Sequence, residues 1–131
     1  NGKNFVDTIS RLAREKGQVR VVNDQIGCPT WTCDLAEKTL ELIESERFGT
    51  FHVTNSGSCS WYEFACAVVG YQGIASKVEP IATDQYPRPA RRPAHSVLDN
   101  YFLRLEGLRP LRPWREALQA YLATKQSDKI E

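Results

Sequence analysis

A short segment rich in arginine and proline, residues 87–96, carries the clearest chemistry in the sequence; it reads Pro-Arg-Pro-Ala-Arg-Arg-Pro-Ala-His-Ser. Each proline fixes its own φ angle and biases the preceding residue toward extended backbone, so the arginines extend from a stiff segment that loses little entropy when a ligand binds. A guanidinium group can bind phosphate or carboxylate oxygens with two parallel hydrogen bonds. The segment therefore predicts an anion-binding clamp; the alternative is a solvated loop.

The sequence lacks the usual motifs of a reaction centre. It contains no glycine-rich nucleotide loop and neither a GxSxG nor an HExxH motif. A Tyr-x-x-x-Lys pair occurs once, at Tyr121 and Lys125, and its position late in the last predicted helix indicates a coincidence of spacing. We therefore expect no catalytic residue and no cofactor-binding residue in this chain.

Composition is that of an ordinary globular domain. The 131 residues are 41% hydrophobic and 25% charged, with a formal net charge of +1, so bulk electrostatic binding to nucleic acid or membranes is not predicted. No apolar run approaches the length of a membrane span, and no signal peptide opens the chain. Seven of the eleven arginines lie between residues 88 and 115. We expect a cytoplasmic protein with one anion-seeking region.

The four cysteines have no paired CxxC spacing, which argues against a zinc site and favours free thiols in a reducing compartment. No metal ligand is predicted. The chain contains no methionine and begins Asn-Gly-Lys. We therefore expect it to be a fragment or a processed piece of a longer protein.

Helical and extended patterns alternate along the chain. Asn4 is placed to cap a first helix, residues 18–22 are prone to form a strand, and residues 23–30 form a loop. Asp34 with Glu37 fits the capping-box pattern of a second helix. The apolar positions of that helix predict a buried stripe of Leu35, Ala36, Leu40 and Ile43.

The same alternation continues in the second half of the chain. Its predicted elements are a strand at 49–54, a helix that Ser60 and Glu63 cap, a β-prone run at 77–82, a short strand at 96–98, a brief helix capped by Asp99 or Asn100, and a last helix from about Pro113. This order predicts a mixed α/β fold with short, partly parallel strands and four to five helices.

Seven pieces of the sequence, taken in order, resemble one protein family. They are Gly-Lys-Asn-Phe-Val at 2–6, Arg-Val-Val-Asn-Asp-Gln at 20–25, Gly-Cys-Pro-Thr-Trp at 27–31, Asp-Leu-Ala at 34–36, Gly-Thr-Phe-His-Val-Thr at 49–54, Ser-Trp-Tyr-Glu-Phe-Ala at 60–65 and Ala-Arg-Arg-Pro-Ala-His-Ser-Val-Leu-Asp-Asn at 90–100. The ordered set resembles the carboxy-terminal half of the dTDP-4-dehydrorhamnose reductase family, a group of extended short-chain dehydrogenase/reductases.

The resemblance implies a fold, an activity and a cofactor. The fold is the mainly substrate-binding, carboxy-terminal part of a Rossmann-like α/β reductase over residues 1–123, followed by a polar tail at 124–131. The implied activity of the full-length protein is reduction of dTDP-4-dehydro-6-deoxy-L-mannose to dTDP-L-rhamnose with NADPH. The family's cofactor loop and Tyr-x-x-x-Lys pair lie in the amino-terminal half, so this chain alone would be inactive. The implied partner is a dTDP-sugar; a homodimer and a need for metal are left open.

Five residues become candidates for the sugar-nucleotide site through this resemblance. Arg92 lies where related extended reductases and epimerases place a diphosphate-binding arginine, and Asn4 begins a helix where they place an asparagine against the nucleotide. Val22, Asn23 and Gln25 occupy the stretch that would flank the base or the phosphates. The structural alternatives are a plain helix cap for Asn4, a core residue for Val22 and a loop residue for Gln25.

Tryptophans and histidines offer further candidates for ligand contact. Trp61 and Trp114 are predicted to lie on inner helix faces and to belong to the core, whereas Trp31 lies beside the loop at 23–30. His52, within a predicted strand, is expected to be structural, and His95 lies next to the arginines.

Two alternatives to the reductase remain open from the sequence. One is a reductase-like subunit that binds or regulates without turnover. The other is a related nucleotide-sugar epimerase or dehydratase. The Asn-Asp-Gln-x-Gly-x-Pro-Thr loop at 23–30 favours the reductase, because related epimerases carry an Arg-Asp-Tyr type of loop there.

Overall fold

A computed structural model of the chain describes residues 4–86 and 89–127, which divide into two units. The first unit contains residues up to Gly27 together with Cys59–Ser96, and the second contains Cys28–Ser58 together with the residues from Val97 onward. The described part holds five α-helices and six short strands. The predicted mixed α/β class with four to five helices is confirmed.

The elements follow one another in an alternating order. They are α1 (Phe5–Lys16), β1 (Gln18–Val22), β2 (Ile26–Gly27), α2 (Thr32–Glu44), β3 (Asn55–Ser56), β4 (Cys59–Ser60), α3 (Trp61–Tyr71), β5 (Lys77–Ile81), α4 (Tyr101–Leu105), β6 (Leu111–Pro113) and α5 (Trp114–Ser127), with a 3₁₀ turn at Thr83–Gln85 after β5.

The core of the first unit is a parallel strand pair covered by two helices. β1 and β5 run in register from Gln18 opposite Lys77 to Val22 opposite Ile81. Helices α1 and α3 pack on each other and on β1, and α3 also packs on β5. Asn4 begins α1 as predicted, because its side-chain oxygen accepts a hydrogen bond from the Asp7 backbone N–H at 2.8 Å.

The second unit is built around β3, β6 and α5. β3 and β6 form a short parallel pair, and α5 buries Trp114, Ala117 and Leu118. Gly57 follows β3 with φ of +83°, and a Cβ there would lie 3.3 Å from the Trp114 ring. Only glycine adopts that backbone without strain and leaves room for the indole.

A buried polar cluster fixes the start of α2 in the second unit. The Arg112 guanidinium donates to both carboxylate oxygens of Asp34, and the Asn55 side-chain amide donates to Asp34 at 2.7 Å. Asn55 also accepts from the Trp31 backbone N–H at 2.8 Å. Asp34 and Asn55 are 4% and 1% exposed, so these hydrogen bonds satisfy groups that water cannot reach.

The Asp34 carboxyl stays ionised in this cluster. Burial acts to raise its pKa, but the hydrogen bonds from Arg112 and Asn55 and the positive charge of Arg112 outweigh burial, so its pKa lies below the usual value. The hydrogen bond to Asp34 raises the pKa of Arg112 in turn. The pair therefore contributes to stability wherever the carboxyl is charged.

Helix α2 differs from its prediction both in the residue at which it begins and in the residues that it buries. The helix begins at Thr32 with Trp31 as the N-cap residue, so Asp34 lies inside the first turn and is not the cap. The buried α2 residues are Asp34 and Lys38, whereas Leu40 and Ile43 are 60% and 71% exposed. The predicted apolar stripe of this helix is therefore wrong for the described part of the chain: the polar cluster, rather than the apolar stripe, is turned inward.

Two predicted strands are also absent from the described residues. Residues 49–54 form no strand, although β3 follows directly, and residues 96–98 form no strand either. Helix α5 continues past residue 123 to Ser127, and the domain boundary proposed at 123 stays a prediction. Pro87, Arg88 and residues 128–131, which are half of the predicted polar tail, lie outside the described residues. No described helix is long and apolar enough to cross a membrane.

We predict that Arg112→Ala lowers the free energy of unfolding by about 1.5–3 kcal/mol at neutral pH, because it removes the charged partner of a buried carboxylate. The folded-state pKa of Asp34 is lowered, so the pair stabilises the protein above the unfolded carboxyl pKa of about 4 and loses this effect as the pH falls through the folded-state value. The destabilisation should therefore shrink in acid. Urea unfolding of the variant and the wild type, at neutral pH and at acid pH, measures the difference in their free energies of unfolding.

The matched control is Arg11→Ala, which breaks an exposed ion pair with Glu15 and should cost less than about 1 kcal/mol. Equal losses for the two variants at neutral pH would contradict the assignment of Asp34 and Arg112 as the stabilising pair.

Candidate functional site: a cationic cleft in the first unit

A cleft of about 700 Å³ opens beside the β1 and β5 pair of the first unit. It is bounded by α1, the end of β1, the start of α3, the 3₁₀ turn after β5 and the arginine-rich segment. The described residues that line it are Phe5, Thr8, Ile9, Leu12, Arg20, Val21, Val22, Gln25, Trp61, Ile81, Thr83, Tyr86, Pro89, Ala90, Arg91 and Arg92.

The cleft is cationic. Arg20, Arg91 and Arg92 line it, and no acidic residue is among its described lining residues. Neither Arg91 nor Arg92 forms a salt bridge within the described part of the chain, and both are exposed. Unpaired guanidinium groups beside an apolar wall suit an anionic ligand that also has a flat or apolar part.

The arginine-rich segment is anchored just after its last proline. The Ile26 backbone N–H donates to the Ala94 carbonyl at 2.8 Å, and the Ser96 backbone N–H donates to the Ile26 carbonyl at 2.8 Å. His95 thereby pairs with Ile26 as an isolated parallel bridge. Gly27 permits this approach, because a Cβ there would lie 3.1 Å from the Ser96 hydroxyl.

Ile26 also pairs with the start of α3. It lies opposite Ser60 in the antiparallel pair of β2 and β4. The Ser60 hydroxyl accepts from the Glu63 backbone N–H at 3.0 Å, and Glu63 accepts from the Ser60 backbone N–H at 2.7 Å, so the predicted capping box is confirmed. The Ser60 hydroxyl donates in turn to the Asn23 side-chain oxygen at 2.7 Å.

Gln25 belongs to a side-chain relay with Thr83 and Asp24. The Gln25 amide nitrogen donates to the Thr83 hydroxyl oxygen at 2.9 Å, and that hydroxyl donates to the Asp24 carboxylate at 2.6 Å. The Thr83 backbone N–H also donates to Asp24 at 2.9 Å. The hydrogen bonds from the Thr83 side chain and backbone hold the pKa of Asp24 below its usual value.

An aromatic wall faces the cleft. The Phe5 and Trp61 rings lie 4.7 Å apart between centroids, and Phe5 also stacks on Phe64 at 5.5 Å. Trp61 is 42% exposed, so the prediction that it belongs to the core is wrong. Since Trp61 is the first residue of α3, its indole extends from the helix start toward the cleft.

Three of the five candidate site residues line the same cleft: Val22, Gln25 and Arg92. Asn4 and Asn23 do not line it. Asn4 is an exposed helix cap, and Asn23 is held by Ser60 and by a backbone hydrogen bond to the Ile81 carbonyl at 2.9 Å. A ligand role for all five remains a prediction.

The remaining aromatic and histidine candidates have varied environments. Trp114 is buried, as predicted. Trp31 lies in the second unit with the Arg112 guanidinium 5.3 Å from its ring centre. His52 is exposed and lies outside any strand, so its predicted strand location is wrong, while the structural role expected for it stays a prediction. His95 is exposed beside the arginines.

The Tyr-x-x-x-Lys spacing at Tyr121 and Lys125 has a structural explanation. The Lys125 ammonium lies 5.6 Å from the centre of the Tyr121 ring, one turn along α5. Among the described residues, no group of three or more histidine, cysteine or acidic side chains is placed to hold a metal ion, and none of the four cysteines forms a disulfide.

Several cleft residues were not found from the sequence, including Thr8, Arg20, Thr83 and Tyr86. Thr83 and Tyr86 follow β5, and its pairing with β1 brings them to residues about sixty positions earlier in the chain. Only for Trp61 did the neighbouring sequence indicate a position at the cleft, because Trp61 is the first residue of a capped helix and lies at the end of that helix.

Comparison with known proteins gives a consistent result. The family model described as RmlD substrate binding domain matches residues 1–127. The chain is 47% identical to the spore coat polysaccharide biosynthesis protein SpsK of Bacillus subtilis over 96% of this chain and 44% of that protein.

Two solved structures of dTDP-4-dehydrorhamnose reductases are similar to the chain. The Clostridium acetobutylicum protein, described as an ortholog, is 44% identical with a TM-score of 0.93, over 96% of this chain and 45% of that one. The Bacillus anthracis enzyme, in complex with NADP, is 39% identical with a TM-score of 0.91, over 95% and 44% of the two chains. The chain thus spans less than half the length of these relatives.

We predict that Ser60→Ala lowers the free energy of unfolding by about 0.5–2 kcal/mol, because it removes the helix cap of α3. The variant also frees the Asn23 side chain. Thermal unfolding measures the loss, and Ser58→Ala in the neighbouring exposed turn is the control expected to change little. A similar melting temperature for both variants would show that the Ser60 hydroxyl does not hold this corner of the cleft.

Proposed function

The chain belongs to the RmlD substrate binding domain family, and from this membership we propose that it is the sugar-nucleotide-binding part of a dTDP-4-dehydrorhamnose reductase. The full-length protein would reduce dTDP-4-dehydro-6-deoxy-L-mannose to dTDP-L-rhamnose with NADPH. The observation that carries the proposal is the cleft, which Arg20, Arg91 and Arg92 line together with the aromatic residues Phe5 and Trp61 and the amide of Gln25.

The cleft offers complementary groups for the diphosphate and for the base of a dTDP-sugar. Arg91 and Arg92 suit the diphosphate, whose charge calls for guanidinium donors. Phe5 and Trp61 form an apolar wall against which a flat base can pack, and Gln25 supplies a polar group at its edge. Of the two arginines of the segment that line the cleft, we assign the main diphosphate contact to Arg92.

The remaining candidate residues have supporting parts in this proposal. Val22 lies at the end of β1, where it contributes apolar surface to the cleft. We assign Asn23 to holding the loop through Ser60, and Asn4 to the nucleotide-facing start of α1, in addition to its capping bond. The cap and the helix dipole favour a negatively charged group near that end.

Hydride for the ketone would come from NADPH, which we expect to bind a part of the protein beyond this chain. The chain offers no glycine-rich turn between a strand and a helix for the pyrophosphate of a dinucleotide. The role of these residues is therefore to bind and orient the sugar nucleotide. A cytoplasmic location, a homodimer and the extent of the binding part over residues 1–123 belong to the same proposal.

We predict that Arg92→Ala in the full-length protein weakens dTDP-sugar binding about ten- to a hundredfold, since a charge-assisted hydrogen bond contributes roughly 1.5–3 kcal/mol. Arg92→Lys should recover only part of the loss, because an ammonium cannot make the two-pronged contact. The Michaelis constants for the dTDP-sugar and for NADPH are measured together, and the second should barely change.

The matched control is Arg109→Ala, an exposed arginine of the second unit that does not line the cleft. An unchanged substrate Michaelis constant for Arg92→Ala with a raised value for Arg91→Ala would move the assignment to Arg91. No effect from either variant would contradict an anion clamp. Binding of dTDP-sugar without NADPH oxidation by the wild-type protein would favour the non-catalytic alternative, and epimerised product would favour the sister enzyme.

We predict that the chain by itself shows no saturable NADPH binding in the micromolar range. The physical reason is the absence of a glycine-rich phosphate loop from its sequence. Titration followed by NADPH fluorescence tests this, with the full-length protein as the positive control. Tight binding by the chain would place part of the cofactor site on it.

A further inference from the structure

The relay of Asp24, Thr83 and Gln25 fixes which end of the Gln25 amide faces the cleft. An ionised carboxylate can only accept hydrogen bonds, so the Thr83 hydroxyl proton is committed to Asp24, at 2.6 Å. The Thr83 oxygen can then only accept from Gln25. The amide of Gln25 must therefore turn its nitrogen to Thr83 and keep its oxygen for another partner.

The Gln25 side chain has no other hydrogen bond within the described part of the chain, and Gln25 lines the cleft. The group that it offers to a ligand is thus a carbonyl oxygen with its orientation already set. Such a group costs little entropy to use and accepts a hydrogen bond only from a donor.

Trp61 of the aromatic wall is joined to Gln25 through the backbone, and both residues line the cleft. The Trp61 backbone N–H donates to the Gln25 backbone carbonyl at 3.3 Å, so the two residues are neighbours at the start of α3. In the proposed function the ligand is a dTDP-sugar, whose thymine can pack on the Phe5 and Trp61 wall and present its imide N–H to the Gln25 oxygen. Thymine and uracil carry that N–H at ring position 3, whereas cytosine carries a lone pair there.

We propose that Gln25 reads the base of the nucleotide by accepting a hydrogen bond from its imide N–H, with Thr83 and Asp24 as positioning residues that hold the amide in this orientation. This inference rests on the proposed function and adds to it the residues that select the base. The arginines contribute affinity for the diphosphate, which all nucleotides share. The relay contributes the discrimination between bases.

The proposal is tested by the ratio of two affinities in the full-length protein. Isothermal titration calorimetry gives the Kd of dTDP and of dCDP for the wild type and for the variants Thr83→Val, Thr83→Ser and Asp24→Asn. The wild type should bind dTDP at least about tenfold more tightly than dCDP, because the ring nitrogen of cytosine turns a lone pair, instead of an N–H, toward the Gln25 oxygen.

Each variant has a distinct expected ratio. Thr83→Val removes the acceptor for the Gln25 nitrogen, so the amide can rotate and the ratio should approach one. Asp24→Asn lets the Thr83 hydroxyl donate to Gln25, which favours the rotated amide and should also lower the ratio. Thr83→Ser keeps the hydroxyl and should keep the ratio, as should Thr39→Val, which alters an exposed hydroxyl of α2.

The outcomes separate the relay from the proposed function. A wild-type protein that binds neither nucleotide overturns the proposed function and the relay together. Tight dTDP binding with a wild-type ratio near one, or with a ratio that both Thr83→Val and Asp24→Asn leave unchanged, overturns the relay alone. Circular dichroism verifies folding, and Asp24→Asn, on an exposed loop, decides the matter if Thr83→Val does not fold.

Discussion

The backbone of Ile26 is the point on which the cleft depends. Its N–H and carbonyl bond to Ala94 and Ser96, and its strand pairs with Ser60 on the other side. One residue thus joins the loop after β1, the start of α3 and the end of the arginine-rich segment. These hydrogen bonds are made by main-chain atoms, so they hold the end of the arginine-rich segment beside the loop after β1. They do not depend on the Ile26 side chain, which is 38% exposed. The prolines stiffen the arginine-rich segment, and the backbone hydrogen bonds to Ile26 fix where it lies.

The placement of charge in the first unit follows from the same geometry. Asp24 lies close to the arginine-rich segment, and with Thr83, Arg91 and Arg92 it lines a second, smaller space of about 550 Å³. Its carboxylate is engaged by the side chain and backbone of Thr83. The acid therefore orders the turn after β5, while the arginines keep their donors for a ligand. A nearly neutral chain can in this way present a locally cationic surface.

The sequence predicted those parts of the fold that depend only on residues close to one another in the chain. The caps at Asn4 and Ser60 and the strands β1 and β5 were predicted because helix caps and β-prone runs need only a few neighbouring residues. Asp34 was misassigned as a cap because its partner Arg112 lies 78 positions away. Periodicity could not separate the core from a cleft wall, so Trp61 was placed inside. In the site, resemblance led to Val22, Gln25 and Arg92, whereas Thr83 is brought there by strand pairing.

The strand pairing of β2 with β4 has a consequence for how the chain can be engineered. The first unit is discontinuous in sequence, and its break falls between Gly27 and Cys59, which are directly opposite one another in an antiparallel pair. Antiparallel neighbours can be joined by a two-residue hairpin turn. The geometry of this pair would thus allow a short turn in place of residues 28–58, and the first unit ends at Ser96. The cleft and all of its described lining residues would then be carried by a continuous polypeptide of roughly half the present length.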